Sequence, residues 1–580
     1  MSEILIRGAT LYDGRGGVGR REDVLVRDGR VARIGRALRP ERDDAEIIDA
    51  TGLWLAPGFV DLHTHYDAEV EVGPALFESL RHGVTTIALG SCSLSMVLGD
   101  AVDLADMFCR VEAIPREIVL PLVQQKKTWD SPREYLEHLD ALALGPNVTC
   151  MLGHSTIRAA AMGMQRALTK GERPTPAEMA QMTAWLDEAL DAGYVGLSIS
   201  TLPWDKMDGD EFRSRPMPSV FASWREYRAL ARTLRRRGRV LQAVPNISTK
   251  INILLFYLMS AGRFRRPLKT TLISMMDVRA DRYAFRIGGA LARLFNRLLG
   301  ADFKMQALPE VFDLWADGID LVVFEEFEAG AAALHLQHAA ERDALLSDPA
   351  YRARFKKQWR SRFMPRAFHR NLRHAEIVAC PDAALVGKTF DALGRAAGRD
   401  AVDVFLDLVV EHGRALRWYT VMGNDRPEWL RFIVSHPDIL IGFSDAGAHL
   451  RNMAHYNFPL RLLRMVRDAE REGCAFMTVG RAVQRLTSEI ADWLGIDAGV
   501  VAEGRRADLV LVRPEALDAR LEAIHEQSVA EYRGLRRLVR RNDEAVEAVI
   551  VGGRVAARRG VPSDDLGQRP YGQVLRAAAA

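Results

Sequence analysis

Residues 56–67 read "APGFVDLHTHYD", an apolar run that closes on two histidines two positions apart, His63 and His65. On a β-strand alternate side chains point to the same side, so the two imidazoles aim at one point from the strand end. Neutral imidazole is the commonest nitrogen ligand for metals, and a strand-end pair of this kind is a candidate metal pincer. Taken alone, the same tripeptide also describes two surface histidines flanking a threonine. The rest of the chain has to decide between the two.

Outward from this stretch, between about residues 56 and 490, short apolar strands alternate with amphipathic helices. Candidate strands are "APGFVDLH", "GVTTIAL", "EIVLPLV", "VTCMLG", "YVGLSI", "RVLQAV", "KTTLISM" and "ILIGFSD". The helix "TPAEMAQMTAWLDEALDAG" opens on Thr175, followed by Pro176 and Glu178, and is stopped by Gly193; these are N-cap, first-turn and C-cap signals. "SWREYRALARTLRRRG" ends in the same way on Gly238. A series of about eight β/α units predicts a parallel (β/α)8 barrel. A doubly wound open sheet is the competing fold, but no glycine-rich nucleotide loop follows the first strand.

Both ends of the chain read differently. Residues 1–55 carry β-branched runs ended by Gly, Asp-Gly or Pro-Gly, with Asp28-Gly29 marking a hairpin in "VLVRDGRVARIG". Residues 491–580 return to the same pattern in "GRRADLVLV" and "AVEAVIVGGRVAARRG". The two ends are expected to build one small β-sandwich domain beside the barrel. Residues 204–222, polar and Pro-containing, are expected to form a loop over the barrel top, and about 320–400 an inserted helical segment.

Composition narrows the function classes. The 580 residues are 48% hydrophobic and 27% charged, with a formal net charge of +3. That balance carries no overall electrostatic signature of a nucleic-acid binder. Five widely spaced cysteines fit reduced thiols rather than a disulfide framework, and the N-terminal residues lack the basic and apolar regions of a secretory signal. No apolar run reaches the roughly 18 residues a membrane span needs. A cytoplasmic location is the default expectation.

In a parallel barrel, chemistry sits at the C-terminal ends of the strands. His63 and His65 end the first strand, Cys92 follows the second in "GSCSLS", and Asp445 follows the last in "GFSDAGAH". Singly, Cys92 reads as a buried small hydrophobe and Asp445 as a turn carboxylate. Together they make four mutually compatible zinc ligands. By alternation Asp61 shares the face of the two histidines, and either it or Asp67 is placed to orient an imidazole. His154 lies at another strand end. His449 and His455 in "AHLRNMAHYNFP" follow Asp445 on a top loop; with His154 they are the candidate substrate contacts.

With these motifs in hand, "APGFVDLHTHYD", "GVTTIALGSCSLS", "MLGHSTIRAAAMG", "AGYVGLSIS", "GFSDAGAH" and "GVVAEGRRADLVLV" resemble the amidohydrolase superfamily and, within it, the D-aminoacylase (N-acyl-D-amino-acid deacylase) branch. The resemblance covers both ends and most of the barrel; residues 204–430 match poorly. It implies a distorted barrel with a β-sandwich built from both termini, and zinc-dependent hydrolysis of an amide. It carries His63, His65 and Cys92 over as metal ligands, and Asp445 as general base that also touches metal. The family places further histidines after strands five and six. Here those stretches read "RVLQAVPN" and "KTTLISMMD", with Gln242 or Val244 and Met275 or Met276 in their place. The tighter of two metal sites then lacks its ligands, so one zinc is expected rather than two.

The expected activity is deacylation of an N-acyl amino acid or related small-molecule amide. The alternatives are a cyclic amide or hydantoin-like ring, a deaminase-type substrate, or a ligand-binding relative with altered catalysis. Residues 251–266 and 285–300, apolar with interspersed arginine, read as barrel helices packed on the core. Their sharper readings are an entrance for an apolar acyl group or a membrane-surface patch. A homo-oligomer is compatible with the sequence; nucleic acid is not an expected partner.

Overall fold

The structure is a computed structural model that describes residues 3–578 apart from 247–249, 337 and 362–365. Eight parallel strands form its centre: β1 (Phe59–Asp61), β2 (Val84–Leu89), β3 (Asn147–Gly153), β4 (Gly196–Ser200), β5 (Val240–Val244), β6 (Lys269–Leu272), β7 (Asp302–Ala307) and β8 (Ile439–Ile441). They pair in chain order. Beyond the last strand residues the ring closes: Leu62 N donates to Gly442 O at 3.0 Å, Asp445 N donates to His63 O at 3.2 Å, and Thr64 bridges Ala446. β2 and β3 are buried along their whole length, as parallel strands covered on both faces must be.

Local chemistry sets the helices between them. Pro176–Ala192 starts on a capping box, with Glu178 N donating to Thr175 Oγ1 and Thr175 N to Glu178 Oε2, and stops at Gly193 with φ 112°. Trp224–Arg237 is capped by Ser223 and ended by Gly238.

Two expectations about the barrel strands are corrected. "EIVLPLV" lies in the helix Arg116–Lys126, and its buried residues Val119, Leu122 and Val123 follow helical spacing. The missing strand is β7, "DFKMQA", whose Lys304 and Gln306 interrupt the apolar run although Phe303, Met305 and Ala307 are buried.

Strands from both chain ends join in one nine-stranded sheet, where Trp54–Pro57 lies between Glu3–Leu11 and Leu509–Val512. The hairpin Arg20–Arg27/Arg30–Gly35 turns on Asp28 and Gly29, both at positive φ. The insertion between β7 and β8 is wider than 320–400 and not wholly helical. Phe312–Asp317, Arg417–Gly423 and Ala375–Ala379 form an antiparallel sheet. With helices such as Pro349–Arg360 and Ala401–His412, the segment packs a core of its own around Phe324, Phe355, Trp359, Phe405 and Trp418.

Candidate metal centre

Past β1 the chain bends at Leu62 and pairs again at Thr64, which bridges Ala446. Val60 and Leu62 share a cluster with Ala88, Met151, Val240 and Leu440 of four other strands, which only the barrel interior brings together. Asp61 lies on the other face beside Ile87, and His63 and His65 reach the site beyond the bend. The loop after β2 brings Cys92 in through two consecutive left-handed residues, Cys92 at φ 55° and Ser93 at φ 74°. Such backbone persists in non-glycine residues only where the surroundings enforce it. Here Cys92 N donates to Gln242 Oε1 at 3.2 Å, Ser93 N to Ser198 Oγ at 3.0 Å, and Ser155 N to Ser93 O at 2.9 Å. Asp445 and His449, also left-handed at φ 59° and 48°, follow β8.

Four side chains converge there. Cys92 Sγ lies 3.3 Å from His63 Nε2, and Asp445 Oδ1 lies 3.3 Å from His65 Nε2 and 3.6 Å from His63 Nε2. Ligand atoms of His63, His65 and Cys92 all lie within 4.8 Å of one another. His63 is set from behind: its Nδ1 lies 2.9 Å from Gln306 Oε1 and 3.4 Å from Gln242 Nε2, and Phe443 meets its ring edge-on. Gln242 thus occupies the strand-five position as a partner of His63, and Met275 after β6 is simply buried. Gln306 was not foreseen because β7 was not; the alternation Phe303, Met305, Ala307 is the signal that marks it.

Burial pushes the His63 imidazole down to about 3, against the attraction of Asp445, and so keeps it neutral. Burial opposes charge on Asp445 too, but the hydrogen bond and charge of His65, with His63 and His449 beyond, hold its carboxyl below the usual range. The Cys92 thiol is pushed well up by burial and by Asp205, Asp445 and Asp67. A thiol among carboxylates ionises when a cation arrives to take it, which suits a metal ligand. His65 Nδ1 is buried with no partner among the described residues. Two nitrogens, a sulfur and a neighbouring carboxylate oxygen are a donor set that fits zinc.

Other candidates fall elsewhere. Asp61 accepts from the backbone N–H of His63 at 3.2 Å and from Ser444 Oγ, so it fixes the strand end and orients no imidazole. Asp67 accepts weakly from Gly90 N at 3.4 Å, and burial raises it to about 7. His154 is corrected as a substrate contact: its ring is wholly buried, with Nδ1 3.0 Å from Ser219 Oγ and Nε2 3.1 Å from Glu226, which also pairs Arg158. His455 is corrected likewise: it is buried, with Nδ1 2.9 Å from Glu310.

His449 alone of the three histidines lines the mouth, a cleft of about 1190 Å³. Part of the 204–222 loop lines it as well, through Trp204, Asp205 and Lys206, beside Arg110 and Glu325. Asp205 and His449 lie close enough to His65 and Asp445 for their charges to act on one another, so this part of the cleft wall adjoins the cluster.

No protein-family profile matches the chain. It is 47% identical over 562 residues to an uncharacterised protein of Mycobacterium tuberculosis, covering 96% of this chain and 92% of that one. Over 200 residues, 34% of this chain and 37% of the relative, it is 36% identical to N-acyl-D-aspartate deacylase of Alcaligenes xylosoxydans xylosoxydans. The crystal structure of N-acyl-D-glutamate deacylase from Bordetella bronchiseptica, complexed with zinc and a phosphonate inhibitor, matches over 99% of each chain with TM-score 0.62 and 23% identity, a likeness of fold. The chain therefore belongs to one family with the mycobacterial protein, is similar over about a third of its length to an N-acyl-D-amino-acid deacylase, and shares the fold of such an enzyme.

Proposed function

We propose that the chain is a hydrolase that holds one zinc and cleaves the amide of an N-acyl amino acid or a related small molecule. The observation that carries this reading is the convergence of His63, His65, Cys92 and Asp445 on one point at the strand C-termini. His63, His65 and Cys92 would hold the ion, which leaves a fourth position open as hydrolysis requires. That division leaves Asp445 free to act as the base, a role a full ligand could not easily combine with binding the ion. The chemistry a bound zinc supplies is Lewis acidity toward water and a substrate carbonyl.

The residues of the chain do the rest. The Asp445 carboxylate, held ionised beside the pincer, takes a proton from the attacking water and returns it to the leaving nitrogen. His449 contacts the substrate from the cleft wall. Arg110 and Lys206, which pair with Glu325 at 3.1 and 3.7 Å beside Asp205, are the cations on that wall that would meet an acidic substrate end. Val111, Ile114, Leu120 and Leu334 offer the apolar surface for an acyl group.

A panel of N-acyl amino acids, scored for released amine, tests the proposal beside hydantoins and dihydropyrimidines. Turnover of N-acyl substrates is expected to stop on chelation and return with zinc. Asp445→Asn should lower kcat about 10²–10⁴-fold with zinc retained. Turnover of cyclic amides alone, or full activity in Asp445→Asn, would overturn it.

A further inference from the structure

One wall of the barrel has a charge the rest of the molecule lacks. From 227 to 301 the sequence holds 16 Lys and Arg and only two acids, Asp277 and Asp281, and none at all from 227 to 276. The excess of +14 (16 − 2) in this segment compares with +3 for the whole chain. Most arginines elsewhere pair with carboxylates. Here Arg237, Arg279 and Arg282 do so. Arg228, Arg232, Arg263, Arg265, Arg293 and Arg297 have no carboxylate partner among the described residues, and all six are exposed.

The same wall carries several exposed apolar side chains. Helix Ala284–Leu299 presents Ile287, Leu294 and Leu298 along one stripe, and helix Lys250–Ser260 presents Leu254 and Leu258 one turn apart. Between them the loop at 261–268 holds Phe264 out at 94% exposure, flanked by Arg263, Arg265 and Arg266. An apolar groove between Trp224–Arg237 and Lys250–Ser260, lined by Trp224, Leu255, Leu258 and Met259 among arginines, continues the surface. Apolar stripes rimmed by unpaired arginine are the make-up of a helix face that lies in a lipid headgroup layer. No helix among the described residues is long and apolar enough to cross a membrane.

We infer that this wall, centred on Phe264 and the two helices, docks the protein on an anionic lipid surface. A second copy on the same face would set one strongly positive segment against another, and like charges repel. A nucleic acid would answer the arginines but leave Leu254, Leu258, Ile287, Leu294 and Leu298 facing water. Headgroup phosphates above an acyl layer satisfy both kinds of side chain. The helix Lys250–Ser260 descends from the end of β5 to the start of β6, so Phe264 lies at the barrel end opposite the strand C-termini. Docking therefore leaves the cleft open to solution, and the inference stands apart from the hydrolase reading.

Flotation of the full chain with vesicles tests it. Vesicles of phosphatidylcholine with about one-third phosphatidylglycerol should carry the protein, and pure phosphatidylcholine should not. At about 1 M salt, where the screening length falls to about 3 Å, binding should be lost. Phe264→Ser combined with Arg263→Glu and Arg265→Glu should lower partitioning at least about tenfold; these sites are exposed, and an unchanged melting curve would confirm that the variant is folded. No flotation on anionic vesicles, flotation that the variant leaves unchanged, or a solution dimer that the same substitutions dissolve would overturn it.

Discussion

His63 stands at the centre of four neighbours, with Cys92 and Asp445 on its Nε2 side and Gln306 and Gln242 on its Nδ1 side. A ring nitrogen fixed from behind presents the other in one tautomer and one direction. Gln306→Ala removes the closer of the two partners at 2.9 Å and is expected to weaken metal affinity about 10–100-fold, read by competition with a chelating dye. Unchanged affinity would show that Gln242 alone suffices to hold the ring. At this scale the sequence was informative for His63, His65, Cys92 and Asp445, because each follows an apolar strand directly. It was uninformative for Gln306, whose strand is broken by Lys304. It misled on His154 and His455, since no local pattern tells that Glu226 and Glu310, far along the chain, consume those rings.

The loop after β2 is the element on which the candidate site depends. It crosses β3 so closely that a Cβ on Gly153 would lie 2.5 Å from Leu94 C and 2.6 Å from both Ser93 O and Ser95 N. Backbone cannot yield there without moving Cys92. Gly153→Ala is therefore expected to leave a folded protein, by its circular dichroism, whose zinc binding is reduced more than its melting temperature. An intact metal site in that variant would mean the loop relaxes elsewhere. Element type was legible wherever caps and periodicity agreed, as in Pro176–Ala192. It was not legible in "EIVLPLV", where β-branched residues favour a strand but the spacing of Val119, Leu122 and Val123 packs a helix. The strands Phe312–Asp317 and Arg417–Gly423 pair across about a hundred residues, a contact that no local window contains.

Across the whole molecule, the C-terminal region is bolted back onto the barrel by buried ion pairs. Arg537 meets Glu69 at 2.8 and 3.0 Å, and Arg541 meets Glu78 through Nε at 3.1 and 3.2 Å. Burial alone would raise the Glu78 carboxyl, but His82 and Arg541 outweigh it and bring it down to about 2, from an ordinary 4.5. A depressed folded value contributes stability above pH 4.5 that is lost as pH falls toward 2. Glu78→Gln should cost about 3–5 kcal/mol near neutrality and flatten the fall of melting temperature below pH 4.5. Parallel curves for wild type and variant would remove Glu78 from the account. The barrel and its two-ended sheet were legible because strand motifs recur along the chain, whereas this clamp rests on arginines that look like any solvated charge run. In the proposed centre His63, His65 and Cys92 hold a single zinc with Asp445 beside it. Its most direct measurement is elemental analysis of metal per chain in wild type and in His63→Ala/His65→Ala. About one zinc in wild type and none in the variant is expected; two ions per chain, or no metal in wild type, would rule the single-zinc centre out.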